Sequence, residues 1–339
     1  MDPSILDAII TVGGLGLVFG SGLAIASKAF YVEVDPRVQA IIEVLPGANC
    51  GACGSPGCQG YAEALVAGKV NLGDCTPGGN DVAKKIAAIL GQTAEEREPM
   101  VAVVQCQGSP DKAPDRFIYQ GVLDCTAAQL ISGGQKACTY GCLGFGNCVR
   151  ACQFDAIAMG DDILPHVFDD KCTGCGLCVK ACPRGIMAMI PKSAQIYIAC
   201  VNPEKGKSVK NVCSVGCTGC TLCANPKTTP SGAIRMEGSL PVVNYSIPDN
   251  LIVAKYKCPT GSFVDKIRFR PKFSIDPLCV GTGECAKICP VKDCITGEPS
   301  HRHVIDQKLC IGCGRCAEVC PEKAIHIIGA LGYVKAYLV

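Results

Sequence analysis

An α+β fold of small elements, set behind one N-terminal helix, follows from three features of this 339-residue sequence. It holds 28 cysteines and 39 glycines but only 5% aromatic residues and no tryptophan. That is too few large side chains for the cores of two or three ordinary domains. Cysteines recur in C-x2-C steps at Cys50/Cys53, Cys172/Cys175/Cys178, Cys217/Cys220/Cys223 and Cys310/Cys313/Cys316. Residues 8–27, AIITVGGLGLVFGSGLAIAS, carry no charge.

Adjacent C-x2-C thiols suit one compact metal centre better than a set of long-range disulfides. Zinc sites tend to pair C-x2-C steps across longer loops, often with histidine, and none of the four histidines here stands at ligand spacing. Iron–sulfur clusters fit the pattern, with metal replacing much of the apolar core. The formal charge of +2 is then misleading. A four-thiolate cluster with a 2+ core nets about −2, so about six of them would bring the loaded chain to about −10. With no basic run of five or more, this argues against nucleic acid as a partner.

Residues 1–30 are expected to form a transmembrane anchor, because an uncharged helix of this length spans a hydrocarbon core. Ala24-Ile25-Ala26 has the look of a cleavage site, but the leader MDPSILD is acidic and reduced clusters belong in a reducing compartment. Gly16 and Gly20 form a G-x-x-x-G step that would let another helix approach, although glycine is common in membrane helices in any case. Lys28 after the span places the following chain on the cytoplasmic side. The expectation is a single-pass protein of the cell membrane.

Residues 31–97 form a four-cysteine iron–sulfur module. Cys50, Cys53, Cys58 and Cys75 are spaced C-x2-C-x4-C-x16-C, the first three on a glycine-rich loop whose amides can approach the cluster. Residues 59–70 read as a short helix with Tyr61, Leu65 and Val66 on its apolar side.

An N-terminal membrane helix, this C-x2-C-x4-C-x16-C module and the cysteine runs that follow together resemble the B subunit of the Rnf complexes, membrane ferredoxin:NAD+ oxidoreductases coupled to ion transport. The match is most specific over residues 1 to about 95. The resemblance implies an electron-transfer subunit that accepts electrons from soluble ferredoxin and relays them to other membrane subunits and to flavin- and NAD-binding subunits.

The remainder reads as ferredoxin-like polyferredoxin modules at 98–196, 197–270 and 271–339. Two-cluster ferredoxins space their runs C-x2-C-x2-C-x3-C-P and exchange the fourth ligand between runs. In the first module Cys172, Cys175 and Cys178 should bind one cluster with Cys152. The other would use Cys142, Cys148 and Cys182, with Phe145 where the second cysteine belongs and Cys138 as the nearest substitute. A duplicated unit is visible: VAVVQC ending at Cys106 parallels IYIAC ending at Cys200, CTYGC parallels CSVGC, and CPRG parallels CPTG. The second copy keeps Cys217, Cys220, Cys223 and Cys258, and Lys227 stands where Cys152 would align. Because Cys213 persists in that copy, Cys138 and Cys213 can also be read as packing residues. Cys106, Cys125 and Cys200 lack local partners and read as structural.

In the C-terminal module Cys289, Cys310, Cys313 and Cys316 make one site. Cys279, Cys285 and Cys320 make the other, with Thr282 in the open slot and Cys294 completing it if the loop folds back. Three thiolates would favour a three-iron cluster there. The sum is about six [4Fe-4S] clusters. Short helices are expected after the fourth-position cysteines, and hairpins around IAMGDDILPHVF and IHIIGALGYVKAYLV. Asp124 and Asp155 read as solvated or capping residues. No G-x-G-x-x-G, G-x-S-x-G, H-E-x-x-H or Walker pattern appears, so no flavin or NAD site and no catalytic residue is assigned. The chain should conduct electrons rather than convert a substrate. The competing readings are a relay in a hydrogenase-type or regulator-reducing system, and an iron-storage or structural cluster protein. Lys287, Arg315 and Lys323 are candidate contacts for ferredoxin, each equally readable as ordinary surface.

Overall fold

The computed structural model describes residues 3–30, 35–267 and 269–329. It divides into two compact units, Met1–Glu95 and Glu96–Val339.

The first unit opens with the helix Pro3–Ala29, whose stretch Ile10–Ala29 has a mean hydropathy of 1.7 and no buried residue. Length and composition allow it to cross a membrane. Two of its hydroxyls are satisfied within the helix: Thr11 Oγ1 donates to the Asp7 carbonyl at 2.7 Å, and Ser21 Oγ donates to the Leu17 carbonyl. Such back-bonding is what a hydroxyl needs where water is absent.

Three short helices follow, Pro36–Val44, Gly57–Val66 and Gly79–Leu90. They close over a small core of Val38, Ile41, Leu45, Tyr61, Leu65 and Ile86. Asp35 caps the first, accepting from the Arg37 amide at 2.8 Å, with Pro36 preset for the first turn. The second helix starts and stops earlier than the sequence indicates. It ends at Val66 because Gly68 turns left-handed (φ 68°) and returns its amide to the Leu65 carbonyl at 3.0 Å. Tyr61 is fully buried, and its hydroxyl donates to the carbonyls of Asn71 (2.7 Å) and Leu72 (3.0 Å). The helix is thereby tied to the loop that carries Cys75.

In the second unit the described residues form six two-stranded antiparallel sheets. Three are local hairpins: Ile157–Met159 with Pro165–Val167, Ile234–Glu237 with Leu240–Val243, and Ile295–Thr296 with Val304–Ile305. The other three join distant strands: Met100–Val104 with Met187–Pro191, Ile196–Ile198 with Phe263–Asp265, and Lys272–Ile275 with Ile325–Ile328. Each distant pair brackets one hairpin in sequence, so the same nested arrangement occurs three times. The IAMGDDILPHVF hairpin is present. The segment IHII instead pairs with the far strand Lys272–Ile275, and residues 330–339 of the expected second hairpin lie outside the described residues.

The short helices Asn147–Arg150, Leu177–Lys180, Glu284–Ile288 and Arg315–Glu318 carry the third-position cysteines and end before the fourth. This reverses the order read from sequence. The reason is the residue ahead of each: Gly146, Gly176, Gly283 and Gly314 all take positive φ, turning the chain from the cysteine loop into the helix. In the second copy Thr221 accepts that conformation (φ 62°) and only a 3-10 turn, Leu222–Ala224, follows. Cysteines sit inside the cores rather than beside them; Cys142, Cys148 and Cys178 pack with Val104, Ile157 and Ile186.

Asp265, with a side chain 5% exposed, is gripped by Arg270 through Nε (2.6 Å) and Nη2 (2.9 Å), with Lys255 at 3.5 Å. Burial would raise its carboxyl, but Arg270, the Ile267 amide and Lys255 hold it below the usual carboxylate range. Stability from this group is therefore present above the unfolded carboxylate pKa and is lost as pH falls through the lower folded value. Arg270→Ala strands the carboxylate, so anoxic urea unfolding followed by circular dichroism should show a loss of about 3 kcal/mol at neutral pH. The gap to the parent should narrow once Asp265 protonates.

Candidate metal centres

In the first unit Cys50, Cys53, Cys58 and Cys75 line one cavity together with Gly51 and Gly57. Asn49 shapes the loop by accepting from the Cys58 amide at 2.8 Å, and a Cβ on Gly57 would stand 2.8 Å from the same oxygen. Burial pushes the Cys75 thiol up, and the neighbouring Cys58, Cys53 and Cys50 add to the shift. Four thiols facing one space is the donor set that a cubane cluster takes, one sulfur per iron.

Cys172, Cys175 and Cys178 stand together. The Cys178 thiol is pushed up to about 12, by burial first and then by Cys175 and Cys172. Cys152 follows the helix Asn147–Arg150 and packs on the same core, while the Ala102 amide donates to Cys172 Sγ at 3.4 Å. Cys217, Cys220, Cys223 and Cys258 also converge. Burial lifts the Cys223 thiol to about 12, with Cys217, Cys220 and Cys258 adding to it, and the Ser262 amide donates to Cys258 Sγ at 3.3 Å. Lys227, at the place of a lost cysteine, lies in a segment bound from outside: Arg315 Nη1 donates to the Lys227 carbonyl at 3.1 Å and Nη2 to that of Thr228. Arg315 is thus engaged within the protein. Lys287 pairs with Glu284 at 2.7 Å.

At the interrupted run the structure departs from the expectation. The cavity at Cys142, Cys148 and Cys182 is completed by Cys125, not by Cys138. The cause is a polar network around Asp124. Its carboxylate accepts from the Thr126 (2.8 Å) and Ala127 (2.9 Å) amides, capping the helix Cys125–Leu130, and also from Asn147 Nδ2 at 2.8 Å. Asn147 Oδ1 accepts from the Cys125 amide at 2.8 Å, and Arg150 bonds both Asp124 and Asn147. The helix bearing Cys148 is thereby fastened to the turn bearing Cys125. Burial lifts the Cys148 thiol to about 11, with Cys182 and Cys125 contributing. Phe145, in the slot of the missing ligand, packs on Tyr119 with ring centroids 5.2 Å apart. Cys138 lines a separate cavity with Cys106, Cys200 and Cys213. Residues 106, 125 and 200 were legible only as lone cysteines; the signal that points to two of them is the internal repeat, which sets Cys106 and Cys200 at equivalent positions.

The C-terminal module also departs. Cys289, Cys310, Cys313 and Cys316 are neighbours: burial pushes Cys316 up to about 12, and Cys313, Cys310 and Cys289 add to it. Cys294 joins this group, its thiol raised by burial and then by Cys289 and Cys310. It does not fold back toward Cys279, Cys285 and Cys320. The Asp306 amide donates to the Cys294 carbonyl at 2.8 Å, extending the Ile295–Thr296/Val304–Ile305 hairpin and holding residue 294 in strand register. Cys279 and Cys320 remain beside Cys285, with Thr282 in the fourth slot.

Among the described residues no three His, Cys, Asp or Glu converge on a position for a single ion. Thiols standing around a cavity are instead arranged as a multi-iron core requires, since each sulfur meets a different iron. An apolar N-terminal helix followed by repeated four-thiol groups defines a membrane-associated protein with multiple iron–sulfur clusters.

Three family descriptions match: "Putative Fe-S cluster" at residues 45–77, "4Fe-4S dicluster domain" at 137–189 and "4Fe-4S binding domain" at 303–326. The chain is 43% identical over 214 residues to the B subunit of the Na(+)-translocating ferredoxin:NAD(+) oxidoreductase complex of Acetobacterium woodii, covering 63% of this chain and 64% of that protein. It is 43% identical to the B subunit of the ion-translocating oxidoreductase complex of Methanosarcina acetivorans, covering 70% and 89%. To the B subunit of the proton-translocating ferredoxin:NAD(+) oxidoreductase complex of Clostridium ljungdahlii it is 44% identical, covering 76% and 92%. The chain belongs to the family of Rnf complex B subunits.

Cys125→Ser should remove one cluster from the anoxically purified chain, read as a loss of about four irons and four acid-labile sulfides, with the Cys172 site intact. Asp124→Ala should weaken the same site by freeing Cys125.

Proposed function

We infer that this chain is the iron–sulfur electron-transfer subunit of an ion-translocating ferredoxin:NAD+ oxidoreductase of the Rnf type. It accepts electrons from reduced soluble ferredoxin and passes them to the other membrane subunits and the flavin- and NAD-binding subunits. The observation that carries this reading is one chain combining a membrane-length apolar helix with successive four-thiol groups. The ligand sets are Cys50/Cys53/Cys58/Cys75, Cys125/Cys142/Cys148/Cys182, Cys152/Cys172/Cys175/Cys178, Cys217/Cys220/Cys223/Cys258 and Cys289/Cys310/Cys313/Cys316. Cys279/Cys285/Cys320 is a three-thiolate site suited to a three-iron cluster.

When bound, each cluster supplies a one-electron couple. The chain's own part is to hold the thiolates at fixed spacing, to aim amides such as those of Ala102 and Ser262 at sulfur, and to limit water by packing cysteines such as Cys142, Cys148 and Cys178 into small cores. Amide donors favour the more negative, reduced state. In this reading the helix Pro3–Ala29 anchors the subunit, and Lys28 at its end supports a cytoplasmic position for the cluster-bearing part.

Stoichiometric titration with reduced low-potential ferredoxin, followed by EPR of frozen samples, tests the reading. Cluster signals should grow in proportion to the electrons added. Clusters that stay oxidised would remove the electron-relay role. A chain lacking residues 1–30 should move from the membrane to the soluble fraction with its iron retained.

A further inference from the structure

Four cysteines stand together that none of these ligand sets uses. Cys106, Cys138, Cys200 and Cys213 line one cavity, together with Gly108 and Lys136. Its unfilled volume, counted out to solvent, is about 410 Å³, against about 340 Å³ at the Cys125 site and about 320 Å³ at the Cys50 site. A Cβ on Gly108 would stand 3.0 Å from Ala113 Cβ, 3.5 Å from Cys106 Sγ and 3.9 Å from Cys213 Sγ, so this residue has no room for a side chain beside the two sulfurs. Burial pushes the Cys213 thiol up, and Cys138, Cys106 and Cys200 are all near enough to add to the shift.

The surroundings are those of an anionic group rather than of four packed thiols. Cys106 Sγ accepts from the amides of Gly108 and Cys142, both at 3.4 Å. Cys200 Sγ accepts from the Cys217 amide at 3.3 Å, and Cys138 Sγ from Asn202 Nδ2 at 3.7 Å. Lys136 is 4% exposed and reaches the Ala113 carbonyl at 3.0 Å, with the half-exposed Asp115 at 3.5 Å. Burying an ammonium is costly unless negative charge lies close by, and four thiolates on a 2+ core would supply a net charge of about −2.

The position has a consequence for electron flow. Cys142 belongs to the Cys125 site and Cys217 to the Cys220 site, and the amide of each donates to a sulfur of this cavity. Each half of the internal duplication contributes two thiols, Cys106 with Cys138 and Cys200 with Cys213. The halves are joined where Gln107 Nε2 donates to the Gly261 carbonyl (3.0 Å) and the Ser214 amide donates to the Lys112 carbonyl (2.9 Å).

We propose that Cys106, Cys138, Cys200 and Cys213 hold a further [4Fe-4S] cluster, set between the Cys142 and Cys217 sites, that carries electrons across the junction of the two halves. The proposal rests on the iron–sulfur reading above. Transfer is a single-electron step: a reduced neighbouring cluster is oxidised from 1+ to 2+, this core is reduced from 2+ to 1+, and no bond breaks and no proton moves.

The test counts iron in the full chain, purified anoxically and reconstituted with iron and sulfide. The background is Cys279→Ser/Cys285→Ser/Cys320→Ser, which removes the irregular C-terminal site. This variant should carry about twenty-four irons; about twenty would overturn the proposal. Adding Cys200→Ser/Cys213→Ser should remove about four irons and four sulfides and one EPR component, and unchanged iron would refute the assignment. One equivalent of zinc in place of those irons would also overturn it. Where the second variant fails to fold, the count in the first still decides. Failure of every site to load would instead count against the iron–sulfur reading itself.

Discussion

A four-iron core must be met by sulfur from several directions at once, and a single turn of backbone supplies at most three of them. That constraint organises the second unit. A loop of C-x2-C steps turns through a left-handed residue into a short helix, placing three thiols around one space. The fourth arrives from a distant part of the chain. The strand pairs that join residues 100–104 to 187–191 and 272–275 to 325–328 hold those distant parts in register. With hydrophobic cores this small, the sulfur-lined spaces are as much a part of the packing as the aliphatic side chains around them.

The irregular positions show what happens when a local ligand is missing. At Phe145 the gap is met from outside the run, because Asp124, Asn147 and Arg150 lock the Cys125 turn to the helix carrying Cys148. At Thr282 no such network brings a cysteine in, because hairpin pairing keeps Cys294 with Cys289. At Lys227, where the second copy has lost a ligand, Arg315 binds the carbonyls of the segment directly. Three gaps of similar appearance in sequence thus have three structural outcomes, each set by local hydrogen bonding.

Electrostatics connects this architecture to electron transfer. Each loaded site adds negative charge to a chain whose formal charge is +2. Amide donors to sulfur and a buried ammonium such as Lys136 offset part of that charge where solvent cannot. These groups bear on how readily an electron is accepted, since reduction makes each site more negative.

The sequence alone determined the chemistry and the apolar N-terminal helix. Cysteine spacing identified iron–sulfur ligation, the uncharged stretch identified the N-terminal helix, and the C-x2-C-x4-C-x16-C module pointed to the family. Local spacing suffices for these because most ligands of a regular site lie within one short cysteine loop, and the apolar stretch is a single continuous run. The partner of Cys142, Cys148 and Cys182 was not legible. Cys138 is only four residues from Cys142 and Cys125 is seventeen away, yet the capping network delivers Cys125. Cys106, Cys138, Cys200 and Cys213 likewise look solitary along the chain, two in each copy of a repeat. Only the tertiary structure folds the copies against each other and turns four lone cysteines into one site, because contacts between distant segments depend on packing that no local spacing records.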